Sequence, residues 1–229
     1  MESELEKYMF TNDNLSRLND PFFKTNKKTN KMKNEMKNEK KVEDDFFTPK
    51  EKDRLFWCFY YILNGNKDES FNAYGSIFKM EKDFKINMIT KIRENKTSLK
   101  ANKLNIEDIE STLANEQNIN LETLQTMCLI ENLSVILIKN RTYYHFHYSD
   151  SEPHIIYYDK VVIQMKEKYM NMIDSYYHIE NVKKPIGSFS NYKLDELQNI
   201  ANKLEIDIMI QNKKKQKKLL YCEIIEKLN

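Results

Sequence analysis

Apolar positions repeat along this chain with two different periods, and the change between them divides it. In residues 76–93, Ile77, Met80, Phe84, Met88, Ile89 and Ile92 recur at helical spacing, which predicts an amphipathic helix with one buried stripe. Upstream, Thr48-Pro49-Lys50-Glu51 has the build of a helix start: Thr48 as N-cap, Pro49 in the first turn and Glu51 closing a capping box. The run that follows, Leu55-Phe56-Trp57-Cys58-Phe59-Tyr60-Tyr61-Ile62-Leu63, has no polar face, which predicts a central helix surrounded by other elements and ended at Asn64-Gly65. Two shorter helices are expected over 106–113 and 121–132, the second turning Leu121, Leu124, Met127 and Cys128 inward.

Beyond residue 132 the period falls to two. Residues 133–139 are nearly all apolar, as a central strand requires. Residues 142–148 alternate, with Tyr144, Phe146 and Tyr148 on one face and Tyr143, His145 and His147 on the other. Asn140-Arg141 between them predicts a tight hairpin. A third strand is expected over 154–158, a fourth at Val161-Val162-Ile163, and a helix over 166–177. Helices followed by a small antiparallel sheet give an α+β class. After a linker at 181–190, Leu194, Leu197, Ile200, Ala201 and Leu204 form one helical stripe and Leu220, Ile224 and Leu228 another. The expected organisation is a flexible basic segment (1–45), an α+β body (46–180), the linker, and a small all-α module (191–229).

Charge sharpens this division. The chain of 229 residues carries a formal +2, but residues 1–23, 24–41, 42–182 and 183–229 contribute −3, +6, −5 and +4. A uniformly basic nucleic-acid protein is excluded, and binding confined to the ends is not. Residues 24–41 have only Met as apolar residues and no periodic face, which predicts a disordered tether or an arm for nucleic acid or an acidic partner. Only four of the 37 basic residues are Arg, and Gly numbers three. That usage matches AT-rich codons, so lysine counts alone are discounted. No stretch approaches the roughly 18 apolar residues of a membrane span, and Met1-Glu2-Ser3-Glu4 lacks the build of a secretory signal. Cys58, Cys128 and Cys222 are odd in number and far apart, which fits a reducing compartment rather than a disulfide framework or a zinc site. No phosphate-cradling glycine motif exists, and no metal or cofactor is expected.

Three resemblances add to this reading. Leu194-Asp195-Glu196-Leu197, Ile200 to Ile206 and the Lys-rich entry to Leu219-Leu220-Tyr221 resemble the SAP and Rho N-terminal helix–extended loop–helix modules, with Glu205 where that family usually has Gly. The resemblance implies DNA or RNA binding through Lys213, Lys214, Lys215, Lys217 and Lys218, or docking to a protein partner. Asp53-Arg54-Leu55-Phe56, the 121–132 helix, the 133–138 strand and His147-Tyr148 are similar, in that order, to ovarian-tumour-type (OTU) cysteine proteases. Arg54 stands where those enzymes have the nucleophile, so a protease or deubiquitinase would have to use Cys58, with His147 or His145 as base and Asp150 orienting it. A chain-wide pattern over 46–229, from Leu-Phe-Trp-Cys-Phe to Lys-Lys-Pro-Ile-Gly-Ser-Phe-Ser-Asn-Tyr-Lys-Leu-Asp-Glu-Leu, is similar to an uncharacterised protein family of giant nucleocytoplasmic DNA viruses. That implies a virus factory in the host cytoplasm or a virion. The expected function is a non-enzymatic viral protein binding nucleic acid or a partner, against a Cys58 protease or a virion scaffold.

Overall fold

A computed structural model describes residues 45–65, 76–210 and 213–228 of the chain. The basic tether expected over 24–41 lies outside the described residues. The described residues form one compact unit.

The unit opens with a two-residue strand β1 (Phe46–Phe47) and the helix α1 (Arg54–Asn64). Helices α2 (Ile77–Glu94), α3 (Lys96–Ala101), α4 (Ile106–Asn115) and α5 (Leu121–Ile130) follow. Next come β2 (Ser134–Lys139), β3 (Thr142–His147), β4 (His154–Tyr157), β5 (Lys160–Val162), α6 (Lys166–Ile173) and β6 (Tyr177–His178). Last are α7 (Leu194–Lys203), β7 (Met209–Ile210), β8 (Lys213–Lys214) and α8 (Lys217–Leu228). The class is α+β, but the sheet is mixed rather than antiparallel. Its order is β1-β5-β4-β2-β3-β6, with β2 parallel to β4 and β3 parallel to β6. The last module is not all-α either, because β7 and β8 make a small hairpin between its helices.

Side-chain alternation gives the sheet two apolar faces. Val135, Leu137, Tyr144, Phe146 and Ile156 meet α1 to α5 in the main core, while Ile136, Ile138 and Ile155 meet Tyr169 and Tyr176 on the opposite face, under α6. The central strand β2 is therefore buried on both sides, as its unbroken apolar run requires. Asn140 and Arg141 carry φ of 50° and 63°, the paired left-handed conformation of a tight hairpin turn.

The start of α1 differs from the expected Thr48 cap. Asp53 is the N-cap: its Oδ1 accepts the Phe56 N–H at 3.2 Å. Its Oδ2 accepts the Lys85 ammonium at 2.9 Å and the Ile119 N–H at 3.1 Å. Lys85 also pairs with Glu81 at 2.8 Å, and the Trp57 indole N–H donates to Glu81. Burial alone would lower the Lys85 pKa, but the bonds to Glu81 and Asp53 outweigh it and raise it. The local T-x-x-E pattern loses to Asp53 because only Asp53 has buried partners on α2 and before α5.

The C-terminal module has its own core of Ile186, Leu197, Ala201, Leu204, Leu220 and Ile224. The segment expected as a linker supplies Ile186, and Tyr177 and Leu228 touch both this core and the main one. The Tyr177 hydroxyl donates to the Pro185 carbonyl at 3.1 Å, the Gly187 N–H donates to the Tyr192 hydroxyl at 2.9 Å, and the Tyr221 hydroxyl donates to the Gly187 carbonyl at 2.7 Å. The module is thus seated on the body. Helix α7 ends in a Schellman motif: Ile206 N–H donates to Ala201 at 2.8 Å and Glu205 N–H to Asn202 at 3.1 Å. Glu205 sits at φ 57°, the left-handed position that glycine adopts without steric cost, which is why a non-glycine there costs about 1 kcal/mol. Its carboxylate reaches the body at Arg141, 3.1 Å away.

Two outcomes follow in equilibrium unfolding. Asp53→Ala leaves the Phe56 and Ile119 N–H groups without their acceptor and the buried Lys85 with Glu81 alone, and should destabilise by about 3–5 kcal/mol in urea, with Lys85→Met adding less than its separate effect in the same chain. Glu205→Gly removes the left-handed strain at the cost of an exposed ion pair worth about 0–1 kcal/mol. It should raise or leave unchanged the thermal midpoint, whereas Glu205→Ala should not raise it.

Candidate functional site

Cys58 is the fifth residue of α1, closer to the helix start than a Thr48 cap would place it. Proximity does not activate it. The side chain is fully buried in the main core, and burial pushes the thiol up to about 12, with Asp159 pushing the same way and Arg54 against it. Cys128 is also fully buried, and burial alone pushes its thiol up. Phe146 faces the core that holds Cys58, so its neighbours His145 and His147 project from the opposite face of the sheet. The sheet stands between the thiol and both imidazoles. His154 shares the thiol's face but lies at the start of β4, while Arg54 and Asp159, the charges felt by Cys58, pair beyond that strand's other end. Asp150 is exposed in the turn after β3. The fold therefore does not bring Cys58, His147 and Asp150 together. Among the described residues, no group of three or more His, Cys, Asp or Glu side chains could hold a metal.

A cavity of about 600 Å³ adjoins the Asp53 network, walled by Phe78, Leu113, Glu81, Lys85 and Glu116. Its acids and bases are mixed, and the innermost, Asp53, Lys85 and Glu81, are already paired with one another. It contains neither Cys58 nor a histidine.

The basic surface is built differently. In the module, the β7–β8 hairpin turns the chain from α7 into α8, with Lys215 N–H donating to Ile208 at 3.0 Å. Lys213 and Lys214 form β8 and are exposed, as is Lys218 in the first turn of α8, and none of the three makes an ion pair among the described residues. Lys215 is different: its ammonium is held by Glu223 at 2.7 Å and its side chain is only 10% exposed. Of the five lysines expected to meet phosphates, it is the one already neutralised. Lys217 lies with its ammonium 4.3 Å from the centre of the Phe189 ring. That ring is 40% exposed and packs edge-on against Tyr221 at 5.4 Å. Met209 and Ile210, paired with Lys214 and Lys213 in the hairpin, and Leu219, next to Lys218 in α8, are exposed. Cations, an open aromatic ring and small apolar contacts are thus presented on one module. Phe189 carries no sequence signal of its own; it lies in the expected linker and meets Lys217 only in the folded chain.

Comparison with family models, curated proteins and solved structures yields no match to this chain. Among the described residues, no helix is long and apolar enough to cross a membrane.

Thiol accessibility checks the cysteine assignment directly. At pH 8 the native protein should react rapidly with Ellman's reagent at one thiol, the exposed Cys222, and Cys222→Ser should abolish that phase. Cys58 and Cys128 should react only after unfolding. A second fast thiol that disappears in Cys58→Ala would restore the nucleophile.

Proposed function

We propose that the chain is a non-enzymatic nucleic-acid-binding protein whose C-terminal helix–hairpin–helix module holds DNA or RNA by its phosphates. The observation that carries this reading is the set of lysines on the module that have no acidic partner among the described residues, Lys213, Lys214 and Lys218, with the exposed ring of Phe189 and its companion Lys217 on the same module. Lysines without internal carboxylates release counterions when they meet a phosphate chain, and an exposed aromatic ring among them offers a surface to a base. The setting in this proposal is a virus factory in the host cytoplasm or a virion, as the resemblance to giant-virus proteins implies. The α+β body acts as the platform on which the module is seated, in an OTU-like arrangement that lacks a usable nucleophile. Against the Cys58 protease stands a buried thiol with no imidazole on its side of the sheet near it.

Binding to a labelled oligonucleotide, followed by fluorescence anisotropy over a salt series, tests the reading. The full chain should bind with a negative slope of log K against log salt. Replacing Lys213, Lys214 and Lys218 by Gln should reduce that slope by about 2–3 and weaken binding at every sequence. Lys215→Gln should change stability more than affinity, because its charge is spent on Glu223. No binding at low salt, or binding unchanged by the triple replacement, would overturn the proposal; capture of a nuclease-resistant protein partner in its place would favour a scaffold role.

A further inference from the structure

The chain has four histidines, and the fold gathers three of them on one sheet face, His145 and His147 exposed and His178 half-buried and stacked on Tyr143. His145 and His147 are separated by one residue on β3, so both project from the face opposite Phe146, and both are exposed. They come together around a single point. The Ser134 hydroxyl, from the neighbouring strand, lies 3.4 Å from His145 Nε2 and 3.4 Å from His147 Nδ1. Both contacts are long for a hydrogen bond, so neither nitrogen lone pair is firmly engaged. The two rings have centroids 5.2 Å apart and planes inclined at 61°. Two imidazoles that bind one ion at a metal–nitrogen distance of about 2.1 Å and a tetrahedral angle have centroids about 5 Å apart, since each centroid lies about 1 Å behind its nitrogen. The rings therefore already stand at chelating separation, with a buried serine oxygen beneath them and solvent above.

We infer that His145 and His147 form a two-imidazole chelate for a borderline divalent cation such as Zn²⁺ or Ni²⁺. Imidazole nitrogens favour these ions and copper over Mg²⁺ and Ca²⁺, which take oxygen ligands. Two protein nitrogens make a partial shell. Its remaining positions belong to water or to a donor from a bound partner, so the site is open and exchangeable rather than structural. It uses neither the Cys58 region nor the basic module and stands apart from the nucleic-acid reading.

The test is isothermal titration of the untagged full chain with ZnCl₂ and with NiCl₂ at neutral pH, in a Cys222→Ser background so that the exposed thiol is not a ligand. One ion should bind per chain and raise the thermal midpoint. His145→Ala or His147→Ala should each weaken binding by more than about tenfold, since even outer-shell changes cost about 10–100-fold. His154→Ala, on the other sheet face, should leave it unchanged. Both chelating side chains are exposed, so the metal-free variants should keep the parent midpoint, which separates lost ligation from lost folding. No binding by the parent chain, or binding retained by the His145→Ala, His147→Ala double variant, would overturn the assignment.

Discussion

One buried carboxylate organises the helical half of this protein. Asp53 receives a backbone donor from its own helix, an ammonium from α2 and a backbone donor from the segment before α5. These donors are 3, 32 and 66 positions away in the chain. A buried ion pair by itself contributes little to stability, because desolvation opposes the Coulomb attraction. Its force here is geometric. A carboxylate with all three donors in place has one acceptable position, and that position sets where α1 begins and how α2 and the α4–α5 connection meet it. The aromatic packing of Phe56, Trp57, Tyr60 and Phe84 then follows from that alignment.

The same alignment decides what α1 can do chemically. With Asp53 as cap, the helix leads straight into the core: Arg54 is exposed and Leu55 half-buried, while Phe56 to Phe59, Cys58 among them, are buried. The sheet adds a second separation by placing His145 and His147 on its far side. From there the fold hands over to the module through Tyr177, a strand residue whose hydroxyl reaches the 181–188 segment and whose ring joins both cores. The lysines of the hairpin and α8 are consequently borne on a seated surface, with orientation fixed relative to the body by Tyr177, Leu228 and the Arg141–Glu205 pair.

Much of this was legible along the chain wherever one local signal sufficed. The α2 stripe, the all-apolar β2, the alternation of β3 and the Asn140-Arg141 turn were read within a residue or two of their observed positions. What depends on distant partners was not. The Thr48 cap was an attractive local pattern, yet Asp53 prevailed through Lys85 and Ile119. The parallel pairing of β2 with β4 leaves no mark in either strand, since parallel neighbours are brought together by a crossover and not by a turn. Helix ends were blurred for another reason. With three glycines in the whole chain, the left-handed stops fall to Lys103, Asn132 and Glu205; of these only Asn commonly ends a helix, and the expected fifth helix runs to Asn132, two residues past its observed end at Ile130. In the sites, the lysines were visible as a run, but that Lys215 is spent on Glu223 and that Lys217 lies over Phe189 are facts of packing.

The shortest strand of the sheet has the widest bearing on the chain's behaviour in company. Phe46 and Phe47 pair with Val162 and Val161, covering the outer edge of β5, and the Phe47 ring stacks on Tyr61 at 3.9 Å to hold them there. Without those two residues β5 would end the sheet with unpaired backbone groups between buried valines, a template for a strand from another copy. Phe46 and Phe47 are thus a guard against self-association, and a cut within the few residues after Phe47 would separate that guard from the sheet it covers.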